Sequence, residues 1–253
     1  MPLNRLPSRA ICLSRLEQGF TLAELAIVVI IIGFLLGGLL MPLSVQMDLR
    51  RTADTKKTMD EVKEALIGFA MANGRLPCPA TAASNGVEAP SGGGVCTSAL
   101  AGFVPAVTLS LTPVDTQGYL LDGWNNRLRY AVTTANTSAF TTAGQMKAVT
   151  ISVLASDLRV CSTSTGMTTG ASAVCAPTAV LTSSAVAVVY SLGPNFATGG
   201  TAADESKNLD NDRAFISHDP TPTGATNGEF DDFVVWISSN VLYSRLVAAG
   251  ALP

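Results

Sequence analysis

From Phe20 to Met41 the chain reads FTLAELAIVVIIIGFLLGGLLM, 22 residues broken by one charge, Glu24. At about 1.5 Å per helical residue this run measures roughly 33 Å, enough to cross a hydrocarbon core of about 30 Å. Beyond Pro42 the pattern narrows to a stripe. Met59, Val62, Leu66 and Phe69 step by three, four and three, while Asp60, Glu61, Lys63 and Glu64 hold other faces. That is the spacing of a helix with one buried side. Asn73-Gly74, with Pro77 beyond, supplies a stop. Residues 20–73 are therefore expected as one long helix kinked at Pro42. Residues 20–41 would span a membrane, and residues 42–73 would lie against a body.

The stretch from Leu76 to about Pro113 has no period and reads as an irregular connection. Strand signals follow at Leu128–Thr134, Val149–Leu154, Ala185–Leu192 and Phe233–Ile237, β-branched and aromatic runs bounded by Gly, Asn, Pro and Asp. Ser238 or Ser239 is placed to cap a last helix, Asn240–Ala249, ended by Gly250. The expected fold class is α+β: a long N-terminal helix, its first half membrane-spanning, packed on an antiparallel β-sheet body formed by residues 74–253.

Composition changes this picture little. Of 253 residues, 47% are hydrophobic and 14% charged, with mean hydropathy +0.35, and the apolar excess is concentrated in residues 20–41. Arg5, Arg9 and Arg15 against Glu17 give residues 1–19 a net charge of +2, which leaves −5 of the total −3 for the rest. A mildly acidic body lacks the clustered Lys and Arg that nucleic acid requires, so nucleic acid is not expected as the main partner.

Residues 1–41 fit three descriptions. A cleaved signal peptide has a shorter apolar run and a small-residue site after it; here the run ends at Met41-Pro42-Leu43. A plain signal anchor accounts for the length but not for an acid in the span, which costs about 2.5–3.5 kcal/mol near a bilayer centre. The third description begins at the junction itself. Gln18-Gly19-Phe20-Thr21-Leu22-Ala23-Glu24 resembles the cleavage motif of type IV prepilins and type II secretion pseudopilins.

The resemblance implies that residues 1–19 are a basic leader removed by a prepilin peptidase between Gly19 and Phe20, with N-methylation of Phe20. It also implies that Glu24 pairs with a neighbouring subunit's N-terminal ammonium during assembly. A paired buried carboxylate escapes most of its desolvation cost. The implied fold is pilin-like. The implied function is a non-enzymatic minor pilin or pseudopilin of a type IV pilus or type II secretion pseudopilus. Its implied partners are the peptidase, other pilin or pseudopilin subunits, an inner-membrane assembly platform and membrane lipid. The implied location is the bacterial inner membrane, single-pass with the body in the periplasm, and then the filament. Basic residues on both sides of the run (Arg50, Arg51, Lys56 and Lys57 follow it) do not orient the chain by charge. The competing class is a membrane-anchored extracytoplasmic binding or enzymatic domain that uses residues 20–41 only as a tether.

Two body stretches are similar to the same family. Asp122-Gly123-Trp124-Asn125-Asn126-Arg127-Leu128-Arg129-Tyr130 resembles a turn-and-strand of major pseudopilins, with Asn125 where those carry Gly. Phe230–Ser238 resembles the closing strand of large pilin-like proteins.

Cys12 falls in the leader, and four cysteines remain: Cys78, Cys96, Cys161 and Cys175. An even number suits two disulfides. Of the three pairings the sequential one is favoured, because each bridge then closes a short Gly/Ser/Thr/Ala-rich loop. Zinc is disfavoured, with no C-x-x-C and a single histidine, His218. Asp204, Glu205, Asp210, Asn211, Asp212 and Asp219 crowd one loop, and Asp231 and Asp232 follow. Such hard oxygen donors suit calcium, with Asp204, Asp210 and Asp212 as the candidate ligands. The competing explanation is that Asp and Asn make turns. Catalysis finds no nucleophile elbow, and His218 reads as solvated. Gly92-Gly93-Gly94 reads as a linker, since no lysine or strand–helix setting makes it a phosphate loop.

Overall fold

A computed structural model of the chain describes residues 19–149, 153–170, 173–197 and 200–252, without the side chains of residues 36–43. The chain divides into two compact units, Met1–Asp48 and Leu49–Pro253. Helix α1, Leu22–Asn73, contributes to both.

In the first unit, every described side chain from Phe20 to Leu35 is exposed. Among the described residues, no helix is long and apolar enough to cross a membrane. From Leu22 to Leu35 the described apolar helix rises about 21 Å, short of a core of about 30 Å. The remainder of the expected span and the expected kink at Pro42 lie outside the described side chains. The membrane-spanning half-helix, and the inner-membrane placement with a periplasmic body that rested on it, are corrected accordingly.

Among the described residues the second unit has six strands: β1 Gly102–Phe103, β2 Arg129–Val132, β3 Leu158–Cys161, β4 Val180–Ser191, β5 Ala214–Ile216 and β6 Phe233–Ser238. Among the same described residues, helices α2 Ala135–Ser138, α3 Gln145–Ala148, α4 Ala203–Lys207 and α5 Ser239–Ala248 interrupt or follow them. Strand β4 pairs antiparallel with β2 through Ala187–Tyr190, with β3 through Val180–Ala185 and with β6 through Ala185–Ser191. A strand has two edges, so β2 and β3 share one and β6 takes the other. The sheet is mixed rather than antiparallel, because β5 runs parallel to β3.

Strand β4 is central because SSAVAVVYSL carries apolar residues on both faces, the signature of a strand buried from two sides. Val186, Ala187 and Val189 face one core cluster, while Ala185, Val188 and Tyr190 face another. Strict alternation would separate Val186 from Ala187. The register shift at Ala185/Ala187 is a bulge that puts both on the same face. The strand is also strongly curled. Phe215 pairs through Val160 with the start of β4, yet its ring lies 5.2 Å from that of Tyr190, near the other end.

The first core cluster lies between the sheet, α5 and the α1 stripe. Met59, Val62, Leu66 and Ala70 are buried there with Leu242 and Leu246. The stripe closes on Ala70 rather than Phe69, which packs instead under the Arg75 guanidinium at 5.1 Å. A large side chain buried this way contributes about 1.5–3 kcal/mol. Ser238 caps α5 by accepting from Val241 N–H.

The Asp122 turn seats the sheet on α1. Asp122 Oδ1 accepts from the backbone N–H of Trp124 and of Asn126, both at 2.8 Å, and Oδ2 accepts from Ser191 Oγ at 2.6 Å. Gly123 N–H donates to Thr55 Oγ1 at 2.9 Å, and a Cβ at Gly123 would stand 2.5 Å from the Arg51 carbonyl oxygen. Only glycine permits that approach. The stretch that resembles a pseudopilin turn is thus a docking turn in this chain.

Of the expected strands, Val149–Leu154 does not form among the described residues. Gln145–Ala148 is helical, Val153 sits in a turn, and residues 150–152 lie outside the described set. Leu154 is buried all the same, as a loop residue in the first core. Both disulfides adopt the sequential pairing, Cys78–Cys96 and Cys161–Cys175, with separations of 18 and 14 residues. Closing loops of this size removes about 3 kcal/mol of unfolded-state freedom. Changing Cys161 and Cys175 together to Ser is expected to lower body stability by about that amount in a denaturant titration. An unchanged midpoint would show the loop to be held by other contacts.

Candidate functional site

Two groups of residues carry chemistry. The first is the junction. Gly19 and Phe20 precede α1, and Phe20 is 88% exposed. Thr21 N–H and Thr21 Oγ1 both donate to Glu24 Oε2, at 2.8 and 2.9 Å, while Glu24 N–H donates to Thr21 Oγ1 at 3.3 Å. This is a reciprocal capping box, with the carboxylate at the positive end of the helix. Hydrogen bonds from Thr21 hold the Glu24 carboxyl below its ordinary range. The signal was present in the sequence as Thr-x-x-Glu. Glu24 therefore has donors of its own before any neighbour arrives. Residues 1–18, where the basic leader is expected and where Cys12 falls, lie outside the described residues.

The second group is the acidic loop, and it rearranges the expected ligand set. Asp204 accepts from Ser164 N–H at 2.6 Å and from Asn227 Nδ2 at 3.0 and 3.2 Å, and lies 3.2 Å from His218 Nε2. Burial works to raise this carboxyl; the donors from Ser164 and Asn227 and the His218 contact outweigh it and hold it low. Asp210 and Asp212 are held elsewhere, both by Lys207. The three expected calcium ligands do not converge.

Among the described residues the acids that converge are Glu205, Asp231 and Asp232, with carboxylate oxygens all within 4.8 Å of one another. Glu205 is 2% exposed and Asp232 5%. Asn195 Nδ2 donates to Glu205 at 2.8 Å and Asn208 Nδ2 to Asp232 at 2.7 Å. The Asp231 carboxyl accepts from the Asn195 backbone N–H, and among the described residues its buried Oδ1 has no hydrogen-bond partner. Burial, reinforced by the Glu205 charge, pushes both aspartates up to about 7. Two buried carboxylates and a half-buried third at this distance are relieved by a proton or by a hard cation. The sequence named all three residues but could not rank them, because Glu205 lies 26 positions before Asp231.

His218 is not simply solvated. It stacks on Phe230 with centroids 3.9 Å apart, and its side chain is 21% exposed. Nδ1 lies 2.7 Å from the Asp219 carbonyl oxygen and Nε2 faces Asp204. With both nitrogens occupied, neither is turned towards a hydroxyl as a general base. Gly92–Gly94 is not a linker either. Gly92 N–H donates to Glu88 Oε1 at 3.1 Å, and a Cβ at Gly93 would stand 2.4 Å from the Thr141 carbonyl oxygen.

No family model, no curated protein and no solved structure matches this chain.

Proposed function

We propose that the chain is the precursor of a non-enzymatic filament subunit of the type IV pilin and pseudopilin class, cut between Gly19 and Phe20. The observation that carries this is the junction. An open Gly-Phe bond leads at once into a helix whose apolar side chains, from Leu22 to Leu35, are exposed with a single acid among them. Apolar surface of that extent calls for a partner, and identical segments of other subunits meet the need. Cleavage creates an ammonium on Phe20, the charge that Glu24 of an adjoining subunit would answer, with Thr21 holding the carboxylate until then.

Gly19 offers a clean test, because a Cβ built there meets nothing within 4 Å. Gly19→Val is expected to fold normally and accumulate as full-length precursor in cells that carry the peptidase. Processing of the variant at the wild-type rate would end the assignment. The acid needs a subtler change, since Glu24→Ala also removes the helix cap. Glu24→Gln keeps a capping group and removes the charge. Cleavage should continue while incorporation into filaments falls, and unimpaired incorporation would remove the pairing role.

A further inference from the structure

Strand β1 pairs with β2 and β2 with β4, in a register that sets Phe103, Arg129 and Tyr190 directly opposite one another. Directly opposed residues share a sheet face. Leu128 and Tyr130 turn into the first core, so by alternation Arg127 and Arg129 stand on the other side. There a cavity of about 260 Å³ opens between the start of β2 and the end of β4. Arg127, Arg129, Asn125 and Asn126 form one part of its lining. Phe103, Leu192 and Phe196 form the rest. Every lining residue is cationic, amide or apolar, and none is acidic.

The two arginines are not equivalent. Arg127 is answered by Asp115, Nη2 to Oδ2 at 2.9 Å, and rests over the Tyr119 ring at 4.1 Å. Arg129 makes no ion pair among the described residues. It lies over the Phe103 ring at 5.2 Å, beside the Tyr190 hydroxyl. Asp210 and Asp232 act on that hydroxyl through charge, yet neither lines the cavity, and Lys207 and Asn208 already hold them. Asn125 is exposed at the rim. The cavity therefore carries one uncompensated guanidinium, set in place by an aromatic ring, with amide groups beside it and apolar walls. At about 260 Å³ it falls below the roughly 300–1,000 Å³ usual for drug-sized ligands, so its ligand is small.

We propose that this cavity binds a small organic carboxylate, its charged end on Arg129 and its apolar body against Phe103, Leu192 and Phe196. A guanidinium edge matches a carboxylate with two parallel N–H···O bonds, and a guanidinium stacked on a ring loses little freedom in making them. Inorganic phosphate matches the charge but leaves three apolar residues facing a hydrated ion, so it binds more weakly. A free acid and the C-terminus of a polypeptide that ends in an apolar residue offer the same group.

The test titrates the full chain, kept in solution with non-ionic detergent, with hydrocinnamate in a calorimeter. One site with a Kd of about 1 mM or tighter is expected, and no saturation by about 10 mM would overturn the proposal. Hydrocinnamamide, the uncharged isostere, should bind about tenfold more weakly, because the bonds to a charged group are lost. Arg129→Gln, checked for an unchanged melting curve, should weaken the acid about tenfold and leave the amide where it was. Phe196→Ala, a change at a residue 38% exposed, serves where Arg129→Gln does not fold, and should weaken hydrocinnamate several-fold. Tighter binding of N-acetyl-phenylalanine than of hydrocinnamate would support the site with a chain terminus as the source, and the reverse would support it with a free acid. The amide or inorganic phosphate bound as tightly as the acid, or an unchanged constant in the folded variants, would overturn the site.

Discussion

Glu88→Ala is expected to lower the stability of the body by about 3–5 kcal/mol, the cost of leaving a buried cation without its partner. Arg75 and Glu88 meet side by side, Nη1 to Oε2 at 2.8 Å and Nη2 to Oε1 at 2.7 Å, with side chains 8% and 5% exposed. Glu88 also accepts from Cys78 N–H and Gly92 N–H, both at 3.1 Å. The pair thus ties the end of α1 to both sides of the loop closed by Cys78–Cys96. These donors and the Arg75 charge outweigh burial and hold the Glu88 carboxyl below its ordinary value. Its contribution is therefore present above about pH 4.5 and is lost as pH falls through the lowered folded value. In a body of this size the loss amounts to a melting point lower by about 6–20 °C. Arg75→Met/Glu88→Leu should recover most of it, because removing both charges leaves no orphan. A single variant that melts within about 2 °C of the parent, under 1 kcal/mol by the same scaling, would show the pair to be dispensable.

How far such features can be read from residues alone depends on their range. Local signals served well. Strands β2, β4 and β6 sit where β-branched runs predicted them, Ser238 caps α5, and the cysteine pairing followed loop length. The α1 stripe was legible to Leu66 because helical period is a local property, and it missed Ala70 because alanine is apolar without standing out. The failures are non-local. Strands β3 and β5 are four and three residues long, too short to show a period, and their parallel pairing joins segments 55 positions apart. The bulge in β4 was invisible in a run where every position is apolar. Gly92–Gly94 looked like a linker because nothing in its sequence announces a partner at Arg75 or Thr141.

The grouping of the acidic side chains is non-local in the same way. Acid density draws the eye to one loop, but which carboxylates meet is decided by partners far along the chain. Asn227 and His218 take Asp204, and Lys207 takes Asp210 and Asp212. What remains is a trio assembled from α4 and the approach to β6. The junction was the opposite case. Gly19, Phe20, Thr21 and Glu24 are contiguous, and everything they do in the described structure is local.

The trio sets the second large effect, a stability that falls as pH rises. Asp231 and Asp232 have folded values near 7 against 3.8 for an ordinary aspartate. A value raised by folding means stability fully present below the unfolded value and lost as pH climbs through the folded one. The loss should therefore run from about pH 4 to 7 and level off beyond. Glu88 and Asp204, both lowered, act with the opposite sign below about pH 4.5, so the body should be most stable near pH 4–5. For Asp232, almost wholly buried, the rise from 3.8 to about 7 corresponds to about 4 kcal/mol. Asp231 is more exposed and coupled to it, so the two do not add. Asp232→Asn should raise the melting temperature at pH 8, leave it nearly unchanged at pH 5, and flatten the slope between. An unchanged slope would place the pH dependence elsewhere. Calcium separates the two ways of relieving the charge. If the trio takes the cation, calcium chloride should restore the wild-type melting temperature at pH 8, do little at pH 5 where protons already serve, and lose its effect in Asp232→Asn. No rise at pH 8 would leave protonation as the only relief these three carboxylates have.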